Sequence, residues 1–323
     1  MQKKHVALGM MALVVAIALW LTRRSEPAEH VYVLTPKAAL WSRMAVVREP
    51  LVTLRYGERL GVLERREDHV RVRTEAGVTG WIDARHLIST DTWQRATDLR
   101  KQTAAMPLQS SGVTKVRTNV RLEPGRAGIP IFQFLPDSKV EVLAREVVEW
   151  AAPVRSRAPA DETDAENAPA PKREDWLLVR GIADDTREVA GWVLGRFLAP
   201  QYPQALRDYA GINRFLAWFK LSERPSEFGP RPTWLAAGVN GPEGQPCDFT
   251  LLRVYNWNAR RARYETAYVE SNLCGRLPVR VKPAANGEPR NEASFTFTAA
   301  RRQGGEEART YVMRQNIVRR LRQ

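Results

Sequence analysis

The side chains that carry most enzymatic chemistry are sparse in this chain and poorly placed for it. Its four histidines are His5, His30, His69 and His86, so the C-terminal two thirds have none. A Ser-His-Asp or Cys-His nucleophile there would have to borrow its base from the N-terminal part. No HExxH, Walker-A or GxGxxG run is present. His69 and His86 read as surface or strand residues, because two histidines without further ligands do not hold a metal ion. Carboxylate-only chemistry passes this filter, and Glu265 and Glu270 are its candidates for a glycan hydrolase. Their flanking residues, however, form ordinary strand alternation. The sequence nominates no catalytic residue, no cofactor and no metal site.

Charge speaks more clearly. Fifty Lys and Arg stand against 36 Asp and Glu, a net charge of +14, with a pI near 10.2. Such a balance favours anionic partners: nucleic acid, anionic lipid or an acidic wall polymer. Residues 206–323 hold 20 basic and 11 acidic residues, so +9 of the excess lies there. Arg260, Arg261 and Arg263 crown an expected hairpin beside Trp257 and Tyr264, and Arg319, Arg320 and Arg322 end the chain. Basic and aromatic residues together can stack nucleic acid, meet an anionic membrane or wall polymer, or form a plain solvated face. Arg260, Arg261 and Arg263 are the binding candidates, and an exported address, argued below, disfavours nucleic acid.

The two cysteines, Cys247 and Cys274, are too few for a disulfide-dense miniprotein or a four-cysteine zinc site. A turn centred on Arg260-Arg261 sets Tyr255 against Thr266 and Trp257 against Tyr264, and the same register sets Cys247 against Cys274. Directly opposed residues lie about 4.5–5.5 Å apart, within the reach of a disulfide. The expectation is a disulfide; the alternative is two buried thiols in a reducing compartment.

The elements that position these residues begin with an address. Met1–His5 is short and basic, and residues 6–22 are mostly apolar until Arg23 and Arg24. A spanning helix needs about 20 residues, with a lower limit of about 17. Residues 1–24 therefore read as an uncleaved signal-anchor crossing the membrane through residues 6–22, with the bulk of the chain extracytoplasmic. Cleavage after Ala18, or a soluble apolar helix, are the alternatives.

One pattern occurs twice. Gly80-Trp81-Ile82-Asp83-Ala84-Arg85-His86-Leu87 returns as Gly191-Trp192-Val193-Leu194-Gly195-Arg196-Phe197-Leu198. Upstream, Val72-Arg73 matches Val179-Arg180, and residues 57–65 match 137–145. Each copy reads as short alternating strands, with Val70, Val72 and Thr74 on one face and Arg71, Arg73 and Glu75 on the other. Trp81 and Trp192 read as core plugs, and Gly80 and Gly191 as positions of tight backbone.

The second copy carries Asn119-Val120-Arg121, Val140-Glu141-Val142-Leu143, Trp176-Leu177-Leu178-Val179-Arg180 and Gly191-Trp192-Val193. In these motifs the chain resembles the bacterial SH3-like domain family. The first copy departs from the pattern, with Leu40-Trp41-Ser42-Arg43 in place of Asn-Val-Arg and His69 in place of the tryptophan at Trp176. The resemblance implies two small SH3-like barrels, residues 30–88 and 115–199. It also implies a wall-binding or partner-binding role without catalysis.

Residues 151–175 hold seven Ala, four Pro, six acidic and four basic residues, the composition of a disordered insertion. Residues 89–110 read as a helical connector, with Asp91 as its cap. Residues 203–221 read as a second connector helix from the stripe Leu206, Tyr209, Ile212, Leu216 and Phe219. Strand candidates Thr233–Val239, Asp248–Trp257, Tyr264–Asn272, Leu277–Val281, Ala293–Ala299 and Thr310–Val318 make residues 222–323 an antiparallel sheet or sandwich. The expected fold class is mainly β: a membrane helix, two small barrels and a C-terminal β domain. Its expected partner is an anionic envelope polymer or an envelope protein. The competing functions are an envelope glycan-processing enzyme and a nucleic-acid-binding protein.

Overall fold

The computed structural model describes residues 29–150 and 172–321, without 185–186, 212–213, 228, 285–291, 302 and 315. The expected signal-anchor, residues 151–171 of the expected insertion, Ile212 and Arg322 lie outside the described residues. Among the described residues no helix is long and apolar enough to cross a membrane. The described residues are mainly β, in four antiparallel sheets, and the chain divides into two units, Met1–Arg95 and Ala96–Gln323.

The first unit holds β1 (His30–Val33), β2 (Lys37–Trp41), β3 (Pro50–Arg55), β4 (Arg59–Arg66), β5 (His69–Thr74), β6 (Thr79–Asp83) and β7 (Leu87–Ser89). They form one sheet in the order β3-β2-β6-β5-β4-β1-β7. Val31, Leu40, Leu54, Leu60, Val72 and Ile82 come from six of these strands and meet in one core, so the sheet curls on itself. Helix α1 (Thr90–Ala104) follows. Its first turn is capped by Ser89, whose Oγ accepts the Thr92 N–H at 3.1 Å, rather than by Asp91. Trp93 stacks on Tyr32, with ring centres 4.9 Å apart.

The second unit opens with β8 (Ser110–Thr114), β9 (Thr118–Arg121), β10 (Pro130–Phe134), β11 (Lys139–Trp150), β12 (Lys172–Asp184), β13 (Arg187–Leu194) and β14 (Leu198–Pro200). Their order, β10-β9-β13-β12-β11-β8-β14, repeats the first sheet strand for strand. The likeness reaches single residues. Trp41 pairs with Trp81 as Arg121 pairs with Trp192. Both β4 and β11 carry a bulge one residue wide, at Leu63 and Leu143. Gly57 and Asp137 both take positive φ, 74° and 62°, and donate to Val33 and Thr114 carbonyls respectively. A Cβ on Gly80 would stand 2.7 Å from Leu40 Cγ, and one on Gly191 2.6 Å from Val120 Cγ1, so both positions exclude any side chain.

Two expectations for this pair of sheets need correction. Trp81 and Trp192 are only half-buried, whereas their neighbours Ile82 and Val193 are fully buried. Strand alternation decides this: the glycine Cβ direction faces inward, so the next residue faces out. The expected insertion also ends too late. Residues 172–175 already belong to β12, and Glu174 and Asp175 are buried. Their charges, read as linker composition, are matched by arginines from distant parts of the chain. The sheet also begins earlier than 115, with β8 at Ser110.

The C-terminal part has α2 (Gln204–Ala210) and two four-stranded sheets. The first is β15 (Arg214–Arg224), β16 (Arg231–Val239), β17 (Leu251–Asn258) and β18 (Arg263–Glu270), in that order. The second is β19 (Gly275–Lys282), β20 (Glu292–Ala300), β21 (Glu306–Arg314) and β22 (Ile317–Arg320). Leu235, Leu252 and Val254 of one sheet share a core with Phe295, Phe297 and Tyr311 of the other. The expected helix 203–221 is thus only seven residues long. Gly211 stops it, and the aromatic run Phe215, Trp218 and Phe219 pairs with β16 as strand. What remains of the apolar stripe still packs: Leu206 and Tyr209 lie on Phe215 and Tyr255, on the outer face of that sheet.

Candidate functional site

The outer face of the second curled sheet gathers four arginines. Arg117, Asn119 and Arg121 alternate along and just before β9, so they share one face. Arg126 comes from the loop between β9 and β10, and Arg196 and Phe197 from the 3-10 turn Gly195–Phe197. With Trp176 of β12 these residues line a cavity of about 300 Å³.

Glu174 organises two of the guanidiniums. Arg126 grips it through both ends, Nη2 to Oε1 at 2.7 Å and Nε to Oε2 at 3.0 Å. Arg196 Nη2 adds a third bond to Oε1 at 2.6 Å. The Arg126 hydrogen bond, helped by Arg196 and opposed by burial, holds the Glu174 carboxyl below the usual carboxylate range. The Arg126 guanidinium also lies over Trp150, 3.8 Å from the ring centre. Arg121 donates to the Gly128 carbonyl at 2.5 Å. Burial, then the nearby Arg126 charge, lowers the Arg121 pKa. Arg117 is exposed and has no hydrogen bond or ion pair among the described residues. Trp176 is 3% exposed, and its indole Nε1 finds no partner among the described residues.

The first sheet lacks this arrangement. The shared connectivity puts Lys37, Trp41, His69, Asp83 and Arg85 where the second sheet has Arg117, Arg121, Trp176, Leu194 and Arg196. There Asp83 engages Arg85 at 3.0 Å. The basic face is a property of the second sheet.

A buried ionic cluster lies behind this face. The Arg145 side chain has no exposed surface, and bonds Asp175 at 2.5 Å and Asp248 at 2.9 Å. It also donates to the carbonyls of Gln245 and Cys247, at 2.8 and 3.3 Å. Asp175 further accepts from Arg214 Nη1 at 2.9 Å and from the Gly244 N–H at 3.0 Å. Gly244 takes φ +84°, and a Cβ there would sit 2.4 Å from Arg173 Cβ. Only glycine lets the 241–248 segment approach β12 so closely. This cluster fixes the curled sheet against the C-terminal sheets. A second cavity of about 310 Å³, mostly apolar, is lined by Leu177, Leu198, Tyr202, Phe215 and Trp218, and shares Arg196 with the basic one.

The structure engages most of the residues nominated from sequence in ion pairs with one another or with near neighbours. Arg260, Arg261 and Arg263 do crown the β17–β18 hairpin, but Arg261 and Arg263 both bind Glu265, at 2.9 and 3.0 Å. Arg320 is taken by Glu307 at 3.0 Å. Glu265 is held to a pKa of about 2 by Asn258, Arg261 and Arg263, which keeps it ionised and unsuited to donate a proton. Glu270 bonds Arg309 at 3.0 Å and Tyr268 Oη at 3.0 Å. Burial and Glu270 together push Tyr268 up to about 12. Among the described residues no three His, Cys, Asp or Glu side chains gather to hold a metal ion.

Cys247 and Cys274 are bonded, with S–S 2.11 Å and Cα atoms 4.9 Å apart. The register that motivated the pairing holds only near the turn, where Tyr255 opposes Thr266 and Trp257 opposes Tyr264. A shift between Val254 and Tyr255 then breaks it, and both strands end before the cysteines. The isolated Phe249–Gly275 bridge brings the two sulfurs together instead.

Sequence reading missed the four-arginine face because its members lie up to 79 residues apart in sequence, Arg117 to Arg196. Arg121 and Arg196 stand in the repeated motifs, and the exchange of Trp41 for Arg121 between copies was the available signal.

No protein-family model and no curated protein matches the chain. Among solved structures, it is similar to NlpC1 of Trichomonas vaginalis at 13% identity, covering 55% of this chain and 48% of that one, with a TM-score of 0.18. It is similar to NlpC2 of the same organism at 14% identity, covering 55% and 50%, with a TM-score of 0.17. The chain thus spans about half the length of these proteins. At such TM-scores the likeness carries no statement about fold or activity.

Proposed function

We propose that this is a non-enzymatic, membrane-anchored extracytoplasmic protein whose two SH3-like domains bind cell-envelope material, an anionic wall polymer or an envelope protein. Residues 6–22 would anchor it. The observation that carries the reading is the recurrence of one seven-strand connectivity, with one copy bearing a four-arginine outer face. Small curled sheets of this kind present loops and an outer face while closing off their edges. Clustered arginines on such a face attract anions at long range and pair with them at short range. A disulfide between Cys247 and Cys274 agrees with an oxidising compartment.

A C-terminal reporter that is active only outside the cytoplasm tests the address, and co-sedimentation of the full chain with purified cell wall tests the binding. Activity of the reporter, together with salt-sensitive retention on wall, is expected. An inactive reporter, beside an exported control fusion that is active, overturns the address, and glycan release from wall by the purified chain overturns the non-enzymatic role.

A further inference from the structure

We propose that the cavity between Arg117, Arg121, Arg126, Arg196 and Trp176 is a phosphate-ester site, which names the ligand chemistry of the second SH3-like domain and rests on the binding reading above. Two carboxylates, Glu174 and, 3.7 Å from Arg196, Glu243, stand against four guanidiniums, so the cavity stays positive after its internal pairs are formed. Glu174 bonds Arg126 and Arg196 from behind and so holds their positions without spending Arg117. Arg121 keeps one bond to the Gly128 carbonyl and has further N–H groups to offer.

The directions of these donors favour phosphate over carboxylate. A planar carboxylate is satisfied by one guanidinium fork. Here guanidiniums arrive from a strand, a loop and a 3-10 turn, which suits the several oxygens of a tetrahedral group. Trp176 supplies an independent sign. Its side chain lines the cavity, is 3% exposed, and carries an N–H with no partner among the described residues. A buried donor left unpaired costs free energy, and a bound oxygen acceptor removes that cost. The cavity of about 300 Å³ leaves room for the alcohol side of an ester beside the phosphate itself. The equivalent site in the first sheet has Trp41, His69 and an Asp83–Arg85 pair, and should bind no phosphate.

Calorimetry of the full chain with inorganic phosphate and with glycerol phosphate, at fixed ionic strength and with acetate as the competing anion, tests the site. Saturable phosphate binding that acetate does not displace is expected. Arg117→Gln, an exposed position that leaves folding intact, should weaken it about tenfold. Trp176→Phe, which keeps an aromatic side chain but removes the indole N–H, should weaken it several-fold, and Arg260→Gln should leave it unchanged. Absence of saturation, equal binding of acetate, or indifference to both Arg117→Gln and Trp176→Phe overturns the site. Two further arms separate the sources: wall with its phosphate polymer intact or stripped, and vesicles of anionic or neutral lipid. Phosphate binding without retention on either surface leaves the site standing and overturns the envelope reading. Retention on wall that survives both substitutions does the reverse.

Discussion

Arg65 and Arg145 occupy the same position in two sheets of one connectivity, two residues past the same bulge, yet only Arg145 is buried. Arg65 meets Glu29 at the surface, with about half of each side chain exposed. Arg145 sits among Asp175, Asp248 and the carbonyls of Gln245 and Cys247, its side chain without exposed area. The same residue type at the same place thus serves solvation in one copy and docking in the other.

This difference sets the first prediction. Arg145→Ala strands two buried carboxylates and should cost about 3–5 kcal/mol, while Arg65→Ala should cost no more than about 1 kcal/mol. Denaturant unfolding of the two variants checks it. Equal costs would contradict the burial of Arg145.

Reduction of the Cys247–Cys274 bond, which closes a separation of 27 residues, should lower stability by about 3–4 kcal/mol. Labelling of the unreduced, denatured protein should find no free thiol, and two after reduction.

Gly80→Ala and Gly191→Ala each push a methyl against a strand neighbour and its backbone carbonyl, the latter 2.7 Å away in both sheets. Each should destabilise by about 1–3 kcal/mol, and the two values should agree within experimental error because the contacts correspond. A neutral effect at either site would mean that the two sheets relax differently.

Ile82→Ala, at a fully buried position, should cost about 2–5 kcal/mol. Trp81→Ala, on the half-buried outer face, should cost less despite removing a larger side chain. Thermal melts of the two variants give the order directly.

Glu174 should contribute to an acid limb of stability. Its folded pKa lies below the ordinary value of 4.5, through Arg126 first and Arg196 after it. A depressed carboxylate pKa stabilises the fold above the unfolded value, and that stability is lost as pH falls from about 4.5 through the folded pKa. Glu174→Gln should lower stability at neutral pH and flatten the decline below pH 4.5. An unchanged slope in this variant would show that other groups set the acid limb.

The sequence by itself determined the β class, the twofold repeat, most strands of the C-terminal region and the cysteine pair, but not β15 or the division of Thr310–Val318 between β21 and β22. Each is a local or pairwise signal: alternation at period two, a Gly-Trp block repeated in order, two thiols with one partner each. Tertiary structure alone decided where charge went. The Arg260-Arg261-Arg263 run looked like a site because its members are adjacent, but adjacency also puts Glu265 within reach of two of them. Arg117, Arg121, Arg126 and Arg196 looked ordinary because they are far apart in sequence, and sheet pairing brought them to one cavity. Glu174 and Asp175 read as linker because composition cannot register partners such as Arg145 and Arg214. The stripe from Leu206 to Phe219 read as one helix because helical spacing is blind to a strand partner. Pairing with β16 supplied that partner and took the second half of the stripe into the sheet. Burial of a charge and choice between helix and strand depend on partners from elsewhere in the chain, and those exist only once it has folded.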